Sequence, residues 1–134
     1  MRICIDLDGV VCDLRRPEQT YADLDPLPGA AEHLRSLRAA GHYVILHTAR
    51  HMKTCDGNVG KVVARQGLVT LQWLDDHGIE YDEIHFGKPH ADVYIDDNAF
   101  RFDAKHLVNA WQHARLDGLH CLVGGANDLG LRIY

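Results

Sequence analysis

Six side chains in this sequence have the types and placing to handle a phosphoryl group. Asp6 and Asp8 sit one residue apart in ICIDLDGVV, directly before Gly9. Thr48 ends the apolar run HYVILHT, Lys88 follows DEIHFG, and Asp96 with Asp97 closes ADVYIDD. Carboxylates are costly inside an apolar strand, so these acids belong where strands stop. Three acidic positions brought to one edge repel each other unless a cation joins them. Oxygen donors alone favour a hard ion, and magnesium suits an open site that also holds a phosphate. An aspartate beside such an ion is able to attack phosphorus. Asp8, two residues further along an extended chain, faces the same side and is placed to protonate the leaving oxygen. A lysine, a hydroxyl and backbone N–H groups then supply charge around the transferred oxygens.

Those residues need a scaffold that delivers strand ends to one edge. Residues 2–6 and 42–48 read as buried strands, and 82–87 and 91–97 as two more short apolar runs. Helices are expected over 29–40, with Ala30, Leu34 and Leu37 on one face, and over 61–77, with Val63, Leu68, Leu71 and Leu74. Gly41 and Gly78 stop them. Asp103 caps a third helix carrying Leu107, Val108, Trp111 and Ala114, ended by Gly118, and the stretch after it adds an edge strand. Alternating strands and helices predict an α/β fold: a Rossmann-like, mainly parallel sheet with helices on both faces. Strands covered on both faces need no alternation of apolar and polar residues. Ligands in such sheets bind beyond the carboxyl ends of the strands, where these side chains fall.

The chain of 134 residues is expected to form a single domain, 1–134. Its formal charge of −5 argues against nucleic acid or a membrane surface as partner. No run is long enough for a transmembrane helix, and the N-terminus lacks a leader's basic flank, so a cytoplasmic location is expected. Cys4, Cys12, Cys55 and Cys121 are expected to be free thiols, with Cys4 a small buried residue of the first strand.

IDLDGVV, ILHTAR, GKP and VYIDD, in that order, resemble the four motifs of the haloacid dehalogenase (HAD) superfamily. The resemblance implies a phosphohydrolase in which Asp6 is the nucleophile and Asp8 the acid/base, with an aspartyl-phosphate intermediate. It implies that Thr48 binds the phosphoryl group and that Lys88 steadies the charge of nucleophile and phosphate. Mg2+ would be held by the Asp6 side chain, the Asp8 backbone carbonyl, Asp96 directly, and Asp97 directly or through water. Gly9, Ala49, Arg50 and Asn98 adjoin the motifs and are assigned to substrate binding. The gaps between the first and second motifs and between the second and third are each about forty residues, filled by a loop and a core helix, so no cap domain fits. The whole chain is similar to a small capless group of capsular polysaccharide biosynthesis phosphatases. A phosphorylated sugar or capsule precursor is therefore the expected substrate. Loops 10–26 and 51–60 flank the motifs and are expected to select it. Without a cap, a neighbouring subunit would wall off the site, so a homo-oligomer is expected, with Trp73 or Trp111 at the contact.

Plainer readings compete at several positions. GNVGK around Lys61 lacks the glycine spacing and the Ser or Thr of a phosphate-binding loop, and no strand precedes it. His47, His51 and Cys55 are four apart, but His47 lies in a strand and no fourth zinc ligand is evident. For Arg50, a surface salt bridge and contact with the phosphate or an acidic leaving group are equal alternatives. Two further functions stay open: a phosphoryl-accepting signalling domain, and a catalytically silent HAD-like binding module. The order of the acids around the lysine opposes the first, and intact motifs oppose the second.

Overall fold

The computed structural model describes residues 1–94. Asp96, Asp97, Asn98, Trp111, Cys121 and the expected third helix lie outside the described residues. Met1–His90 forms one unit. The elements are β1 (Arg2–Asp6), α1 (Ala30–Ala39), β2 (Tyr43–His47), α2 (Val59–Val62), a single π-helical stretch (Val63–Gly67), α3 (Leu68–Asp76) and β3 (Glu83–His85). The strands pair in parallel in the order β1-β2-β3. Their register aligns Asp6 with His47, and His47 with His85. Parallel neighbours point their side chains the same way, so these three residues share one side of the sheet at its carboxyl edge.

The expected α/β class with a parallel sheet holds. Burial within the strands nevertheless alternates. Ile5, Val44 and Leu46 are buried, whereas Arg2, Cys4 and Tyr43 are exposed. Cys4 is thus an exposed thiol rather than a core residue, because its position in β1 points it away from Ile5. Ala91–Tyr94 is in no strand: the described part of the expected 91–97 strand is exposed, with a bend at Asp92.

α1 forms as its sequence dictates. Ala30, Leu34 and Leu37 recur at helical spacing and all three are buried. Gly29 precedes them with φ of 82°, and Gly41 follows at 83°, both in the left-handed region where a side chain is strained. Asp82 ties the far end of the sheet together. Its carboxylate accepts the Val44 N–H at 2.8 Å and an Arg38 N–H at 2.9 Å.

The segment 59–76 is helical, but its buried face differs from the expected one. Val63, Leu68 and Leu71 are exposed, Leu68 by 80%, and only Leu74 of that stripe is buried. The inward residues are Val62, Gln66, Thr70, Trp73 and Leu74. A π-helical stretch carries extra residues per turn and shifts the phase of everything after it. The inner face therefore runs through two polar side chains that a hydrophobic pattern would send outward.

Candidate active site

β1 ends at Asp6, and the chain then folds back on itself. The Leu7 carbonyl accepts the N–H groups of Val10, Val11 and Cys12, while Gly9 N–H donates to the Cys12 carbonyl at 2.7 Å. Gly9 has φ of 88°, which only glycine adopts without strain, and this lets Asp8 project from a tight turn. At the next strand, Thr48 N–H donates to the His85 carbonyl at 2.9 Å, and Lys88 N–H donates to the Thr48 carbonyl at 3.2 Å. The end of β2 is thereby locked to the turn carrying Lys88.

Two of the expected side chains, Asp6 and Lys88, meet here, and Thr48 is joined to Lys88 through its backbone. Lys88 Nζ lies 2.5 Å from Asp6 Oδ2, reaching across the end of β2 to the first strand. Asp6 Oδ1 accepts the Leu7 N–H at 2.9 Å, which fixes the plane of the carboxylate. Thr48 is fully buried, and its hydroxyl oxygen accepts the Arg50 N–H at 3.1 Å, leaving its own O–H to donate. Ala49, the residue between Thr48 and Arg50, packs against a small core of Met52, Cys55 and Val62.

The donor set fits a hard cation in part. Among the described residues the Asp8 backbone carbonyl accepts no backbone hydrogen bond, and it lies one residue beyond Leu7, whose N–H orients the Asp6 carboxylate. Oxygen donors of this kind suit Mg2+. No group of three His, Cys, Asp or Glu side chains able to hold a metal exists among the described residues. His47, His51 and Cys55 form no such group. Among the described residues no helix is long and apolar enough to cross a membrane.

A family model described as "5' nucleotidase, deoxy (Pyrimidine), cytosolic type C protein" matches residues 16–109 of the chain. The chain belongs to this family. It is accordingly a HAD-type phosphohydrolase, a phosphoric monoester hydrolase. Asp6 and Asp8 precede the matched span, which takes in Thr48, Lys88 and the acids beyond them. A crystal structure of a structural-genomics target from Vibrio cholerae is similar, with a TM-score of 0.68 and 30% identity. The similarity covers 85% of this chain and 98% of that one. No curated protein sequence matches.

Against this nucleotidase-family background, Arg50 departs furthest from expectation. Its side chain is 0% exposed, which excludes a surface salt bridge. The guanidinium instead pairs with Asp8 at 2.9 Å, donates to Thr70 Oγ1 at 3.3 Å and lies within 3.3 Å of Cys12 Sγ. The Tyr21 ring covers it with its centroid 4.4 Å away, and Trp73 lies beyond at 5.9 Å. Burial and the Asp8 charge push the Cys12 thiol up to about 12, so it stays a neutral S–H. Burial, then Lys88, holds His47 below the usual histidine value.

Loop 10–26 reaches this cluster through Tyr21, and loop 51–60 through His51. Their rings meet edge to face at 5.6 Å. His51 is held below its ordinary value by burial, then by Arg65 and Arg15. Tyr21, Cys12 and Thr70 had no distinguishing spacing in the sequence, and the spacing of His51 pointed to a zinc site rather than to this cluster. Trp73 is 2% exposed, and its indole N–H donates to the Leu24 carbonyl at 2.6 Å. It anchors the core under loop 10–26 and is not available as a subunit contact.

Proposed function

We propose that this chain hydrolyses a phosphate monoester through a phosphorylated Asp6, with Mg2+ required and Asp8 as the acid/base. The Asp6–Lys88 pair at the carboxyl edge of the parallel sheet carries this reading. A carboxylate oriented by the Leu7 N–H and paired with the Lys88 ammonium is held in one direction, as a nucleophile must be. Lys88 and the Thr48 hydroxyl would receive the phosphoryl oxygens, with Lys88 balancing negative charge as it spreads onto them. Asp6 and the Asp8 carbonyl would hold Mg2+ together with Asp96, and with Asp97 directly or through water. The ion would neutralise the phosphate and draw charge from the leaving oxygen. Gly9, Ala49, Arg50 and Asn98 remain assigned to the substrate side of the site. For Arg50 that contribution is indirect, since Asp8 occupies its guanidinium.

The substrate on this reading is a phosphorylated sugar or a capsule precursor, by the similarity to capless capsule phosphatases, and the sugar hydroxyl is the leaving group. The family match favours a second reading, a pyrimidine deoxynucleoside 5'-monophosphate. Parallel phosphate-release assays on sugar monophosphates and on deoxynucleoside 5'-monophosphates separate the two. Chelation should abolish release and added Mg2+ restore it. Asp6→Asn should leave no acid-stable phosphoryl adduct on the peptide carrying residue 6. Full turnover in excess chelator, or an adduct on Asp8 or a histidine, would sink the proposal.

A further inference from the structure

The grip of Arg50 on Asp8 is asymmetric. Nε lies 3.1 Å from Oδ1 and 3.0 Å from Oδ2, while Nη2 lies 2.9 Å from Oδ1. The Cys12 thiol lies 3.6 Å from the same Oδ1. A guanidinium has donors and no lone pairs, so an oxygen turned toward it cannot hold a proton on that side. Oδ1 faces two N–H groups and a thiol. Oδ2 shares a single N–H and keeps a lone pair for other use. The Asp8 side chain is also 21% exposed where Arg50 is sealed, so its working side faces out of the cluster.

The arginine is itself held from every direction. Thr70 Oγ1 fixes Nη1, the backbone N–H of Arg50 is tied to Thr48, and Tyr21 lies over the guanidinium face. Thr70 reaches this point because the π-helical stretch turns it inward. A planar fork suits this task where a lysine ammonium, a point charge with rotating donors, does not.

We propose that Arg50 is a positioning residue that anchors Asp8 through Oδ1 and reserves Oδ2 as the oxygen that moves protons. The inference rests on the phosphatase reading above. In the first step the Asp6–phosphorus bond forms, the bond from phosphorus to the leaving oxygen breaks, and that oxygen takes the Oδ2 proton. In the second, water attacks phosphorus and loses a proton to Oδ2, and the Asp6–phosphorus bond breaks.

The test compares D8N, R50K, R50Q and D8N/R50Q in the whole chain, with 4-nitrophenyl phosphate and phenyl phosphate as substrates. R50Q should lower kcat by about ten- to a hundredfold, a fraction of a full acid/base contribution. The loss should be larger with phenyl phosphate, whose leaving oxygen needs the proton more. R50K should recover part of it, and D8N/R50Q should be no slower than D8N, because Arg50 acts only through Asp8. Losses that multiply in the double variant, equal losses on both substrates, or R50Q at the wild-type rate would each overturn the proposal. If R50Q fails to fold, R50K carries the same comparison in the wild-type and D8N backgrounds. D8N at the wild-type rate would instead reject Asp8 as acid/base, and with it the reading on which Arg50's role depends.

Discussion

Asp8 should be a stability residue as well as a chemical one. In Asp8→Ala the guanidinium of Arg50, 0% exposed, keeps Thr70, Cys12 and the Tyr21 face but loses its only carboxylate partner among the described residues. Removing one member of a buried ion pair costs about 3–5 kcal/mol, because the survivor stays charged and buried. Asp8 is itself 21% exposed, so water can enter the vacated space, and the lower end, about 3 kcal/mol, applies. For a domain of this size that corresponds to a fall of roughly 10 °C in Tm. Asp6→Ala is the matched control. It removes a shorter pair, 2.5 Å against 2.9 Å, but the Lys88 and Asp6 side chains are 17% and 32% exposed, and such pairs contribute about 1 kcal/mol or less. Thermal and urea unfolding followed by circular dichroism should therefore rank Asp8→Ala well below Asp6→Ala. Asp8→Leu combined with Arg50→Met should regain most of the loss, since a buried pair can be replaced by apolar residues at little cost. Equal midpoints for the two single variants would refute the argument that Arg50 is buried against Asp8.

His51 is held below its ordinary value by burial and by Arg65 and Arg15, so the unfolded chain binds its proton first as pH falls. Stability should be complete above the unfolded histidine value and decline through the acidic side of about 6.5; His51→Asn, which tolerates the left-handed backbone at φ 58°, should flatten that decline in Tm measured against pH. Iodoacetamide at mildly alkaline pH, read by peptide mass mapping, should modify exposed Cys4 ahead of buried Cys12 and Cys55, and modify the last two only with unfolding. Leu68→Ser should leave the unfolding free energy from urea titration within about 0.5 kcal/mol of wild type, whereas Thr70→Ala, which frees an Arg50 N–H inside the core, should cost about 1–3 kcal/mol. The reverse ranking would restore the outward-facing stripe to the core.

Much of this molecule is legible where local pattern and burial agree. Ala30, Leu34 and Leu37 announce α1, and the apolar runs ending at Asp6 and Thr48 announce the strands that hold them. The placing of Lys88 beside Asp6 follows once three parallel strands are aligned. The pattern fails where the interior serves the site. Gln66 and Thr70 read as surface residues on a helix whose apolar side was Val63, Leu68 and Leu71, yet the polar pair faces inward. No periodicity reports a π-helical phase shift, and no spacing reports that a buried arginine needs Thr70 beneath it. Cys4 fails for a simpler reason. A strand expected to be covered on both faces has no exposed side, but the described strands alternate. Arg50 could be placed near the chemistry from its position after Thr48, and Asp8 from its motif, but nothing local marks the pairing of the two across 42 residues.

The contacts that assemble the site span long stretches of sequence, and this sets an order of events during synthesis. Asp8 waits 42 residues for Arg50, and Asp6 waits 82 residues for Lys88. At translation rates of about 5–20 residues per second, the second interval lasts roughly 4–16 s. A nascent chain thus acquires the arginine that holds its acid/base group well before the lysine that flanks its nucleophile. The Asp6–Lys88 pair also spans the end of the central strand, so it cannot close until β2 and β3 have docked in register. A ribosome-bound chain whose emerged portion stops short of Lys88 should carry the arginine latch and no phosphatase activity.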